Sequence, residues 1–133
     1  MLILNNEKLV VPFIVGTGGV TKGDLVVLSA GTVVKATAGV TASTVVGIAC
    51  DTKVAEAIVL VDVITSGTTV IAPFTVAGTK KTFADTDLGL VYDISNATTV
   101  NPDDTTGGCA LITGYDNKTL EVRFVVPKAS CYL

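Results

Sequence analysis

Valine, isoleucine and threonine fill 50 of the 133 positions, while glutamate occurs 3 times and glutamine never. Side chains branched at Cβ lose rotamer freedom in a helix and pack well on a pleated surface, whereas a helical chain would be rich in glutamate and glutamine. The chain is therefore expected to be all-β, and its length is that of one domain. Only 16% of its residues are charged, below the roughly 25% of an average soluble domain. Part of its surface is expected to face other protein.

The same composition excludes whole classes of function. With no histidine, the chain lacks the usual base near neutral pH, the Ser-His-Asp and Cys-His nucleophile systems and most zinc sites. A net charge of −3, with one arginine and eight scattered lysines, leaves no basic stripe to release counterions from a phosphate backbone, so no nucleic-acid partner is expected. The longest apolar run, Leu9 to Val15, contains Pro12 and falls far short of the ~18 residues of a spanning helix, so no membrane partner is expected. The N-terminus has no basic region leading into an apolar stretch and a small-residue cleavage site, which points to a protein made in the cytoplasm and not exported. Cys50, Cys109 and Cys131 lack metal-site spacing and read as buried thiols rather than a disulfide framework.

Turn residues divide the chain into two similar β-rich halves. In the first, strands are expected at Asp24 to Ser29, Thr32 to Ala36 (a hairpin through Ala30-Gly31), Thr44 to Ala49 and Ala57 to Ile64. In the second they fall at Leu90 to Ile94, Thr98 to Val100 (through a Ser95-Asn96 turn), Cys109 to Gly114 and Leu120 to Val126, where Glu121 and Arg123 share a face. The halves align as Leu25 with Leu90, Val45 with Ile112 and Ile58 with Leu120, weak in identity but consistent in order. Between them, Thr68 to Thr75 and Lys80 to Phe83 are interrupted by Pro73 and Gly78 and read as edge strands or a crossing loop. The Lys80-Lys81 pair reads as edge protection. Residues 1–19 form an N-terminal arm or strand and residues 20–133 a single β domain. The apolar arm segment, Leu2 to Val15, is set off by the glycine-rich Gly16 to Gly23. It either pairs with the C-terminal strand of its own sheet or augments the sheet of another chain.

Candidate chemistry is sparse. The glycine-rich segment fails the phosphate-loop pattern: Thr21 stands where the second glycine belongs, and Gly23 follows Lys22 where Ser or Thr should be. A turn is the better reading. Asp85, Asp87, Asp103, Asp104 and Asp116 are the candidates for a metal-dependent hydrolase, but they sit among Thr, Asn and Gly at strand ends, where such residues close turns. Asn96-Ala97-Thr98 and Asn117-Lys118-Thr119 match the glycosylation sequon, which has no meaning without export. No catalytic residue, metal or cofactor is expected, and the chain is not expected to be an enzyme. The apolar tip of Ala129 to Leu133 is a further candidate for contact.

The run Val20-Thr21-Lys22-Gly23-Asp24-Leu25-Val26-Val27-Leu28, followed by Gly31 to Ala36 and Val45-Val46-Gly47-Ile48-Ala49, resembles the capsid cement or head decoration proteins of tailed bacteriophages. In that family a lysine-glycine-aspartate-hydrophobic strand precedes a hairpin and a strand of this second type. Asp85 to Ile94 and Gly107 to Asp116 are similar to small proteins predicted beside major capsid proteins in prophages of Gram-positive bacteria. The resemblance covers roughly Val20 to Val126. It implies an antiparallel β-barrel or sandwich of β-tulip-like form that binds the outside of an expanded capsid shell, with the major capsid protein as partner and a homotrimer as the favoured assembly in the virion. It also implies an N-terminal arm that adds to capsid strands. By position the capsid contacts would be Leu2, Ile3, Leu4, Leu9, Val10, Val11, Phe13 and Ile14. The alternative is a β-sandwich binding module on a virion or cell surface that recognises glycans, for which Phe83, Tyr92 and Tyr115 would have to offer exposed rings at one end.

Overall fold

The computed structural model describes residues 1–4 and 9–128. Among them, the all-β expectation is met: strands make two five-stranded sheets and a small ribbon, and the helical residues are two single 3-10 turns. Strand β1 (Leu2–Ile3) is an edge of the second sheet. Strands β2 (Val10–Ile14), β3 (Leu25–Ser29), β4 (Thr32–Lys35), β5 (Val45–Ala49) and β6 (Ile58–Val63) make the first sheet, in the order β2-β6-β5-β3-β4. The second sheet adds β7 (Val70–Pro73) and β8 (Val91–Tyr92), while β9 (Ile94–Asn96) and β10 (Thr99–Val100) form the ribbon. With β11 (Ala110–Asp116) and β12 (Glu121–Val125) its order is β1-β7-β12-β11-β8.

The two halves follow the same strand order, β2-β6-β5-β3 against β7-β12-β11-β8, with the β9–β10 ribbon standing apart where β3 and β4 are continuous, and they match in particular hydrogen bonds. Gly23 N–H donates to the Ala49 carbonyl and Ala49 N–H to that of Asp24, each at 2.9 Å. Gly89 N–H donates to Ile112 (2.8 Å) and Ile112 N–H to Leu90 (3.0 Å) in the same pattern. Each half also curls until its hairpin meets its first strand. Val15 bridges Val33 in parallel, as Phe74 does Val100. The pairings make Leu25 equivalent to Val91, Ile48 to Leu111, Pro12 to Ile71, Ile14 to Pro73, Ile58 to Glu121 and Leu60 to Arg123. The expected order of elements therefore holds, but the residue alignment slips within each strand pair. Valine and glycine texts carry little register information, and bulges at Val26/Val27 and Ile112/Gly114 shift the count. The second hairpin turns at Ala97-Thr98 rather than Ser95-Asn96, because Asn96 Oδ1 accepts Thr98 N–H at 2.9 Å and carries the strand one step further.

Two clusters fill the interior. Val15, Val20, Val26, Val33, Val46, Val59 and Val61 lie inside the first curled sheet with Phe13 packed against them. The opposite face of that sheet, through Leu25, Val45 and Ile48, joins Val70, Tyr92, Ile112, Val122 and Phe124 of the second sheet in one continuous core. Hydrogen bonds fix the join: Leu25 N–H donates to Ala97 at 2.7 Å, and Gly39 N–H to the buried Asp93 carboxylate at 2.7 Å. At Gly47 the sheet admits no side chain, since a Cβ there would strike the Asp62 carbonyl of β6.

The N-terminal segment pairs within the molecule rather than standing free, but its partners are β6 and β7 and not the C-terminal strand β12. β2 pairs with β6 from Val10 opposite Asp62 to Ile14 opposite Ile58, and β1 pairs with β7. Val15 is 1% exposed. Residues 5–8 of the segment lie outside the described residues. β7 is flanked by β1 and β12 and is no edge, while Lys80 to Phe83 is a loop. Deleting residues 1–15 should therefore remove Val15 and Phe13 from the first core and cost about 5 kcal/mol or more, most of the stability of an ordinary domain. Urea unfolding followed by circular dichroism should show a lost or strongly lowered transition. An unchanged midpoint would mean that the segment is dispensable to the body.

Candidate interaction surface

Strand β2 has two unlike sides. Val15 N–H donates to Ala57 and Val63 N–H to Leu9, so the odd-numbered residues commit their backbone groups to β6. The even-numbered ones present theirs to the open edge. One of these is Pro12, which has no N–H and makes that edge a poor template for an added strand. Side chains divide by the same alternation: Val11 and Phe13 turn inward, while Val10 and Ile14 are 44% and 54% exposed. Directly across, Ile58 and Leu60 of β6 are 63% and 50% exposed, opposite Ile14 and Pro12. Of the N-terminal contact residues expected from the sequence, Leu2, Leu4, Leu9, Val10 and Ile14 are exposed, whereas Ile3, Val11 and Phe13 are half-buried. The sequence reading missed Ile58 and Leu60. Their signal was present, since β6 is apolar on both faces through Ile58-Val59-Leu60-Val61.

The three rings proposed for glycan stacking do come together. Phe83 lies 5.3 Å from Tyr92 edge to face and 6.4 Å from Tyr115, with Phe74 at 4.9 Å. Phe83 and Tyr92 are each only 2% exposed, so they offer no open ring faces to a sugar. They close the end of the second sheet around a polar trio. Lys80 Nζ donates to Asp87 Oδ1 at 2.5 Å and to Tyr92 Oη at 2.8 Å, and the Tyr92 hydroxyl donates to the same carboxylate oxygen. Lys80 is thus a partner of buried groups rather than an edge guard. Burial alone would raise the Asp87 carboxyl, but the bonds from Lys80 and Tyr92 outweigh it and hold the group below its ordinary value. Burial would lower the Lys80 ammonium, yet its bonds to Asp87 and Tyr92 raise it. Tyr92 is raised by burial and by its bond to Asp87.

The remaining candidates serve local structure. Asp85 accepts the Tyr115 hydroxyl at 2.7 Å, Asp103 accepts Lys80 N–H at 2.7 Å, and Asp104 accepts Thr106 N–H at 2.8 Å. Asp116 accepts Lys118 N–H at 2.8 Å. These carboxylates are distributed among separate turns, and no group of three or more metal-binding side chains converges among the described residues. Gly18, Gly19 and Gly23 have positive φ in the turn between β2 and β3. Asn117 brackets the Phe83 backbone, accepting its N–H and donating Nδ2 to its carbonyl, both at 2.9 Å. Cys109 is fully buried, and burial followed by the nearby Asp93 charge pushes its thiol up to about 12. Cys50 is half-buried beside Leu60, to whose carbonyl its N–H donates. Cys131 and the apolar tip at Ala129 to Leu133 lie outside the described residues.

Comparison of the chain with protein-family models and with curated protein sequences finds no match.

Two measurements check the polar trio and the thiol. The Asp87 contribution to stability is present above the ordinary carboxylate pKa and is lost as pH falls through the lower folded value. Lys80 and Tyr92 act in the opposite sense. Their contributions hold below their ordinary values, near 10, and are lost as pH rises through the raised ones. Asp87→Asn should lower stability at pH 7 by about 1–3 kcal/mol and flatten the acid limb of melting temperature against pH. A variant that keeps the wild-type acid limb would remove Asp87 as its source. For the thiol, Cys109 in a Cys50→Ser/Cys131→Ser background should resist iodoacetamide at pH 8 until the chain is unfolded, and rapid native labelling would contradict its burial.

Proposed function

We propose that the chain is a non-enzymatic structural protein of a tailed-phage virion, binding the outer surface of the capsid and stabilising it, with the major capsid protein as partner. One observation carries this reading: exposed aliphatic side chains line the outer strands that the N-terminal segment contributes to both sheets, at Leu2, Leu4, Val10 and Ile14. Such side chains favour contact with other protein, because each apolar group withdrawn from water contributes to association. The sparse charge supports the same reading, as does the assignment of the candidate acidic groups to turns.

A shell reinforced in this way needs no strong single contact. Many copies, each adding a modest energy across a junction between capsid subunits, hold it collectively. The β-tulip-like form and a homotrimeric assembly belong to the proposal through the resemblance in sequence. The pairing of β2 with β6 changes one part of it. Attachment through β2 uses side chains, not a detached strand that augments the capsid sheet. The glycan reading gains nothing from the aromatic cluster, whose Phe83 and Tyr92 are closed to solvent.

Co-sedimentation of the purified protein with undecorated shells of the phage's major capsid protein tests the proposal. Saturable binding at a fixed copy ratio is expected, together with a higher melting temperature of the shell. A folded protein that stays in the supernatant at every concentration would overturn it.

A further inference from the structure

The repeat supplies an internal control for the exposed face of β2 and β6. In the first half this face carries Pro12 and Ile14 opposite Leu60 and Ile58. The equivalent positions of the second half carry Ile71 and Pro73 opposite Arg123 and Glu121. All four β6 and β12 residues point away from the core in strands of the same topology, where Val59 and Val61 match Val122 and Phe124 on the inner side. The fold therefore accepts a charged pair at this place, and the second half has one. Ile58 and Leu60 are not required there by packing.

We infer that the β2–β6 face, formed by Val10, Pro12, Ile14, Ile58 and Leu60, is the surface by which the protein docks on the capsid shell. The inference rests on the proposed function and adds the face and the mode of contact. Two strands of five residues cover about 17 Å by 10 Å of sheet, on the order of 170 Å², against the ~800 Å² per partner of a standard stable interface. A face of this size does not hold a second copy of the chain as a stable dimer in solution. In the homotrimer proposed above, three such faces are linked and meet a shell that presents the same apolar site many times at fixed spacing, so that weak contacts act together. The open edge beside it cannot take the place of side-chain contact, because Pro12 interrupts its row of donors.

The fold itself provides the test. The double variant Ile58→Glu/Leu60→Arg transfers the second half's pair onto the first half, and Leu60→Arg alone is the milder control. Each should melt within a few degrees of wild type by circular dichroism, since each change lies on an exposed surface. Wild type should co-sediment with undecorated shells, and the folded double variant should bind at least tenfold more weakly. Equal binding by wild type and folded variant would overturn this face while leaving the capsid role in place. Failure of wild type to bind would overturn the capsid role, and this assignment with it. Loss of the fold in both variants would contradict the repeat equivalence from which the assignment is drawn. Sedimentation velocity closes the remaining route: a wild-type oligomer that the double variant dissolves, with shell binding unchanged, would make the face a contact between copies and overturn the proposal.

Discussion

Leu25 joins the two halves of the molecule. Its side chain is fully buried between the sheets, and its amide leaves its own half to meet the carbonyl of Ala97 in the other. One face of the first sheet is closed by its own curl; the other is covered by the second sheet at Leu25, Val45 and Ile48 and left open over β2 and β6. A valine side chain fully buried contributes roughly 1.5–3 kcal/mol relative to an exposed one. Exposed aliphatic residues outside this arrangement therefore represent burial forgone in the isolated chain. Ile58 and Leu60 are such residues, and their equivalents Glu121 and Arg123 are not.

Buried polar groups bond one another and the backbone within this stack. Asp93 accepts Gly39 N–H across the join and Ile94 N–H beside it. Asp24, also buried, accepts Thr21 N–H and lies 3.5 Å from Lys35 Nζ. Asp87, Lys80 and Tyr92 bond one another at the far end of the second sheet, where Asp87 also accepts Ala84 N–H at 2.8 Å. Unpaired groups at such depth would cost several kcal/mol.

The all-β class and the order of strands were legible in composition and in turn residues, because β-branched content and glycine-marked hairpins act locally. Register was not, since the alternation of Val45-Val46-Gly47 is compatible with several offsets and the bulges that select one depend on the neighbouring strand. The fate of the N-terminal segment was partly legible: Val11, Phe13 and Val15 alternate with Val10, Pro12 and Ile14, a period that fits a strand with one face buried. Lys80 carried no local signal. A lysine beside a lysine reads as surface, and only the fold brings Asp87 and Tyr92 to it.

Hydrogen–deuterium exchange of the protein bound to shells and free in solution tests the β2–β6 face most directly. Added protection in the bound state should fall on peptides covering residues 10–14 and 58–62, with little change across residues 110–116 and 121–125 of the equivalent, charged face. Protection confined to the second half, or none at a ratio where the protein is bound, would contradict docking through the first sheet.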